Sequence, residues 1–221
     1  MVSELSVYER GIDAYLKANP DNCADFCGLA HNGDTMAGEA SNTINSYLTV
    51  SSYPSLSVDL NTSNMIQGAL SDADKQAEQI ASRVNEVAAS GCKTAISVAS
   101  ENAGSSVVVN VKVKSANVEN CRVAVWLLED GIVAAQTGGS STEVHNNVLL
   151  TSSSTVAYGD RIQLDADGAG QNVYRMDVSG AHDLSNCRLV VFTTVPNASG
   201  RFVVDNVVTC PLDGQTAFEY E

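Results

Sequence analysis

The stretch SSYPSLSVDL, residues 51–60, decides how the first part of the chain is read. It is a short apolar strand, Leu56 to Leu60, entered through Tyr53-Pro54. Proline sits comfortably at the head of a strand because it has no N–H to give to a ladder. What that turn faces depends on the segments around it.

Upstream, Leu5, Tyr8, Ile12, Tyr15 and Leu16 recur at three- and four-residue steps until Pro20, the pattern of an amphipathic helix. CADFCGLAH, residues 23–31, is an apolar run without a helical stripe and reads as a strand, closed by a Gly33-Asp34 turn. Ala40, Ile44, Tyr47 and Leu48 mark a second helix. Downstream, Ala73, Ala77, Ile80, Val84 and Val87 give Asp72 to Ala89 helical spacing. Helices alternate with strands, so residues 1–90 read as an α/β part.

Composition changes near residue 90. TAISVAS, SVVVNVKVKS, CRVAVWLLE, HNNVLL, DRIQLD, QNVYRMDV, CRLVVFTTV and RFVVDNVVT then follow as strand candidates separated by turn residues. In VVVNVKVK, Val107, Val109, Val111 and Val113 face one way, and Val108, Asn110, Lys112 and Lys114 the other. NCRVAVWLLED (120–130) and NCRLVVFTTVP (186–196) resemble each other and read as equivalent core strands. Residues 91–221 therefore predict an antiparallel β-sandwich. The expected class is α+β with two domains, divided at 90/91.

Twelve basic residues stand against 26 acidic ones, a net charge of −14. Phosphate backbones would repel such a chain, which excludes nucleic acid as a partner. No apolar run reaches the roughly 18–20 residues of a transmembrane segment, and MVSELSVYERGIDAYL shows neither the basic nor the continuous apolar region of an export signal.

The six cysteines are too sparse for a stapled mini-domain and too scattered for zinc. In an extended strand Cys23 and Cys27 would lie roughly 13 Å apart, beyond disulfide reach, and C-x-x-x-C within a strand is not a redox motif. Cys92, Cys121, Cys187 and Cys210 lie at predicted strand ends. If the strands alternate in direction, parity favours Cys121 with Cys187 and Cys92 with Cys210; free thiols are the alternative.

His31, His145 and His182 are far apart and define no site by spacing; His31, beside Gly33-Asp34, reads as an exposed loop residue, the alternative being a place in the lining of a cleft at a strand's end. GDRIQLDADGAG lacks the spacing and glutamate of a calcium loop, so Asp167-Gly168 reads as a turn. TGGSS (137–141) has no helix or lysine to make a phosphate cradle, and no G-x-S-x-G occurs. No metal or other cofactor is expected, and no catalytic constellation is visible.

AHNGDTM (30–36), YPSLSVD (53–59), VAVWLLEDGIV (123–133) and VHNNVLL (144–150) together resemble the twenty-eight-kilodalton outer-membrane protein family of Bacteroidetes, whose members pair a thioredoxin-like part with a C-terminal β-sandwich. The resemblance implies an incomplete thioredoxin-like part in which Tyr53 and Pro54 form the proline turn. The first strand and any C-x-x-C of that fold would lie upstream of Met1. It also implies a cell-envelope location.

The expected function is a non-catalytic envelope protein whose sandwich binds a protein or glycan. The alternative is a thiol-disulfide oxidoreductase with its C-x-x-C upstream. Use of Cys23 or Cys27 as a peroxidatic thiol is disfavoured, since neither has a neighbouring base or helix terminus to generate thiolate.

Overall fold

A computed structural model describes residues 10–12, 14–15, 17–18, 31–115, 120–135 and 141–218. Helical backbone at 10–12, 14–15 and 17–18 marks α1. Then follow α2 (Glu39–Leu48), β1 (Ser55–Leu56), β2 (Ile66–Gln67) and α3 (Ala73–Ala88). Asp72 starts α3 as its N-cap, its carboxylate accepting from the N–H groups of Asp74 (2.9 Å) and Lys75 (3.2 Å).

The rest is strand: β3 (Thr94–Asn102), β4 (Ser106–Ser115), β5 (Arg122–Glu129), β6 (Ile132–Ala134), β7 (Glu143–His145), β8 (Val148–Ser152), β9 (Asp160–Arg161), β10 (Ala169–Asp177), β11 (Cys187–Pro196), β12 (Phe202–Pro211) and β13 (Gly214–Thr216). One sheet has the order β10-β4-β3-β13; a second runs β12-β11-β5-β8, with β9 also on β5. β1 with β2 and β6 with β7 form two-stranded ribbons, and every pairing is antiparallel. The fold is mixed α+β, mostly strand, and among the described residues no sheet closes into a barrel.

The two large sheets share one apolar layer. β4 supplies Val107, Val109, Val111 and Val113, all fully buried, and β3 adds Ile96 and Val98. Facing them are Val123, Val125 and Leu127 of β5 with Leu189 and Val191 of β11. Each such side chain contributes roughly 1.5–3 kcal/mol through burial.

β5 and β11 are apolar on both faces because both faces are covered. Their other sides, Ala124, Trp126 and Leu128 with Val190 and Phe192, pack against Ile44 and Leu48 of α2, and against Leu60 and Leu149. This explains why the two similar segments read as unbroken apolar runs instead of alternating ones. The core thus continues across residue 90. A separate cluster joins Tyr15 of α1, Ile66 of β2 and Ile80 of α3, with Leu56 against it.

Three expectations are corrected. The strand expected over Leu56 to Leu60 is laddered only at Ser55–Leu56, and the chain then turns through Asp59 and Leu60 at positive φ (56° and 54°). HNNVLL divides, with His145 ending β7 and β8 starting at Val148. DRIQLD is strand only at Asp160–Arg161. The expected Asp167-Gly168 turn is present: Gly168 (φ 74°) donates to the Asp165 carbonyl at 3.1 Å, and Asp165 Oδ1 accepts from Asp167 and Ala169.

Candidate functional site

The proline turn lies at the open end of the β1–β2 ribbon. The Tyr53–Pro54 peptide bond is cis, and the Pro54 carbonyl accepts from Gly68 N–H at 2.9 Å. The Ser51 and Ser52 hydroxyls donate to Gln67 Oε1 at 3.0 and 3.4 Å, and Tyr53 is 49 % exposed. Cys23 and Cys27, and with them the expected strand before His31, lie outside the described residues. Most of TGGSS does too.

The expected disulfides are not formed. Cys121, Cys187 and Cys210 are free buried thiols, and Cys92 is exposed. Parity failed because β5 and β11 are antiparallel neighbours: Cys187 pairs with Glu129 and Thr194 with Arg122, so Cys121 and Cys187 sit at opposite ends of the pair. Cys210 pairs with Leu189 and lies 3.4 Å from Ser100 Oγ. Burial, helped by the charge of Asp205, pushes the Cys121 thiol up to about 12. Burial and then Glu129 push that of Cys187 up to about 11. Neither is a thiolate nucleophile.

Two histidines that spacing kept apart are brought together. In the β6–β7 ribbon Ile132 pairs with His145 and Val133 with Val144. The two-residue period turns Ile132 and His145 inward and leaves Val133 and Val144 63 % and 58 % exposed. The His145 ring meets His31 edge-on, with centroids 5.3 Å apart and planes at 76°. His31 is no exposed loop residue, for its side chain is only 9 % accessible. Its Nδ1 lies 2.7 Å from Asp34 Oδ2, while Asp34 Oδ1 accepts from Met36 N–H at 2.9 Å.

A carboxylate at Nδ1 holds the ring proton there and leaves Nε2 as the lone-pair atom. The Nε2 atoms of both His31 and His145 are buried, and among the described residues they have no hydrogen-bond partner. Unpaired buried polar atoms cost about 1–3 kcal/mol each.

A polar clasp fixes His145. Asn146 Oδ1 accepts from Gly131 N–H at 3.0 Å, and Asn147 N–H donates to Asp130 Oδ1 at 2.6 Å. Arg188 bridges Asp130 (2.6 Å) and the Asn147 side-chain oxygen. The segments LLEDGIV and VHNNVLL are thus the two halves of one lock. Next to it the buried Glu129 carboxylate accepts from His182 N–H (3.0 Å), His182 Nδ1 (3.1 Å) and Asp183 N–H (2.7 Å).

Where α2 meets the five-stranded sheet, aromatic rings and guanidinium groups interleave. Tyr158 stacks on Phe202 at 5.0 Å and meets Tyr47 at 5.2 Å. Arg122 lies 4.7 Å from the Phe202 ring and 5.0 Å from Tyr158, and Arg201 lies 4.3 Å from Tyr47. Tyr47 OH donates to the Phe202 carbonyl at 2.6 Å, and Arg122 to the Gly159 carbonyl at 3.1 Å. All five residues are half-buried. Sequence reading missed them because no two of the three rings are close along the chain; the only cue is how few basic residues there are to place.

A family model described as outer membrane protein Omp28 matches residues 41–215. Among solved structures, HBP35 of Porphyromonas gingivalis is similar at a TM-score of 0.70 and 14% identity, over 91% of this chain and 69% of that one. A domain of the outer membrane lipoprotein Omp28 from Porphyromonas gingivalis matches at a TM-score of 0.39 and 21% identity, over 57% of this chain and 92% of that one. No curated protein matches the chain.

Proposed function

The chain belongs to the Omp28 outer membrane protein family, and from that membership we propose that it is a non-catalytic cell-envelope protein that binds a protein or glycan. Family membership supports the envelope location. The finer architecture proposed is a thioredoxin-like remnant over residues 1–90, including the Tyr53–Pro54 turn as a contact, followed by a β-sandwich over 91–221. The single apolar cluster that joins β1–β2 to α1 and α3 supports the first part, and the shared apolar layer of the two large sheets supports the second.

The observation that carries the binding role is the Arg122–Tyr158–Phe202–Tyr47–Arg201 ladder. Arginine and tyrosine dominate binding hot spots, and half-buried rings locked against one another and against guanidinium groups give a preorganised contact surface for a sugar or a partner's side chains at little entropic cost. Two of the chain's twelve basic residues are gathered at this spot.

The test is binding of the purified chain to envelope glycans and to envelope proteins of its host, each fractionated and titrated by calorimetry. Arg122→Ala and Tyr158→Ala are expected to weaken the interaction about tenfold or more, in line with losses above 1.4 kcal/mol. Saturable binding untouched by either substitution would move the site elsewhere; absence of binding to both fractions would sink the proposal.

The second reading is a thiol-disulfide oxidoreductase whose C-x-x-C lies upstream, favoured by the helix-flanked β1–β2 ribbon with Tyr53–Pro54 at its end. It requires the native product to reduce insulin disulfides with dithiothreitol as donor, and a product inert in that assay rejects it.

A further inference from the structure

We infer that His31 and His145 form a binding site for one late first-row divalent ion of the zinc type, held through their two Nε2 atoms. Both Nε2 atoms are buried, and among the described residues neither has a hydrogen-bond partner. The His145 residue is 2 % exposed and the His31 side chain 9 %. Two polar atoms so placed, on rings in contact, are the arrangement that an ion between them would satisfy at once.

The spacing fits. Two imidazoles sharing one tetrahedral ion at about 2.0–2.1 Å through nitrogen have ring centroids about 5 Å apart. The rings here are 5.3 Å apart. Asp34 stands behind His31, at 2.7 Å from Nδ1, where a carboxylate fixes the tautomer and raises the basicity of the ligating nitrogen. Simple ring packing accounts for the edge-on contact but leaves both nitrogens unpaired.

The segment carrying His31 is an exposed turn at Asn32 and Gly33, which gives an ion a route in from solvent. Among the described residues no three metal-ligating side chains converge. With two protein ligands, the two remaining positions of a four-coordinate ion go to water or to an exogenous ligand. Because imidazole must be deprotonated to bind, occupancy falls as pH is lowered. Of the charged groups nearby, Asp34 on the His31 turn is ion-paired with that ring, and Asp130 is paired with Arg188 in the clasp beside His145; Ile132, which pairs with His145 across the ribbon, carries no charge.

The decisive experiment is titration of the tag-free, chelator-treated chain with zinc chloride, followed by calorimetry and by ¹⁵N resonances of the imidazole rings. One ion per chain is expected, with the Nε2 resonances of His31 and His145 shifted and those of His182 unmoved. His31→Gln and His145→Gln should each weaken binding by more than tenfold, Asp34→Asn by about tenfold, and His182→Ala not at all. His145 is a core residue, so the ring resonances of the unsubstituted chain and the Asp34→Asn variant carry the test if His145→Gln fails to fold. Absence of stoichiometric binding overturns the inference. So does binding that leaves both sets of resonances in place, or that survives the glutamine substitutions.

Discussion

Asp59 shows how much one side chain in the loop after the proline turn sets the conditions under which this fold is stable. Its backbone is left-handed (φ 56°), and its carbonyl accepts from Val204 N–H at 2.8 Å, which ties the loop to β12. Its carboxyl is largely buried beside Asp205, whose own carboxylate accepts from Lys93 N–H and the Thr94 hydroxyl. Burial first, and the Asp205 charge second, raise Asp59 from 3.8 to about 6. The folded state therefore holds a proton that the unfolded state has released between those values. Stability contributed by this group is present below about pH 4 and is lost as pH rises through 6, an effect on the order of 2–3 kcal/mol. Asp59→Asn, which suits a left-handed backbone and carries no charge, should raise stability at pH 7 by a similar amount. It should also flatten the denaturant midpoint between pH 4 and 7. An unaltered pH profile in this variant would assign the dependence to another carboxyl.

At the scale of elements, the loop from β10 into β11 hangs on Glu129 at the end of β5. Glu129→Ala leaves the two backbone N–H groups of His182 and Asp183 without their buried acceptor and removes a carboxylate that is 1 % exposed. A loss of about 2–4 kcal/mol in chemical denaturation is expected, with faster amide exchange confined to residues 178–186. β4 was legible from sequence because its inward face is all valine and its outward face ends in Lys112 and Lys114, a clean period of two. β5 and β11 were legible as core for the opposite reason, since α2 covers what would have been their polar face. The three-residue strands β6, β7 and β13 are too short to carry any period. Strand order was not legible either: β11 sits beside β5 with five strands skipped along the chain, a choice made by long-range packing, and the disulfide expectation failed with it. The His31–His145 contact has the same cause. Each histidine lies in a segment that carries the family resemblance, AHNGDTM or VHNNVLL, but only the placement of the β6–β7 ribbon brings the rings together.

At the scale of the whole molecule, the helical part and the sheets share a core instead of standing as separate bodies. Ile44, Leu48 and Leu60 lie in one cluster with Trp126, Leu128 and Phe192, and the Trp126 and Phe192 rings meet edge-on at 4.8 Å. The aromatic–arginine ladder runs along the same junction, from Tyr47 of α2 to Arg122 of β5 and Phe202 of β12. Trp126 is the only tryptophan and is 5 % exposed beneath α2, so its fluorescence reports docking of the helix. Leu48→Ala should cost about 2–4 kcal/mol, shift Trp126 emission to the red, and lower the midpoint of the far-ultraviolet signal of the sheets by the same amount. Coincident transitions by the two probes are expected in both chains, because neither side of the junction can bury its apolar face without the other. If α2 instead melted first, with the sheet signal unchanged, the junction would be a weak docking contact. The ladder would then be a surface assembled on docking, open to regulation by whatever holds the helix in place.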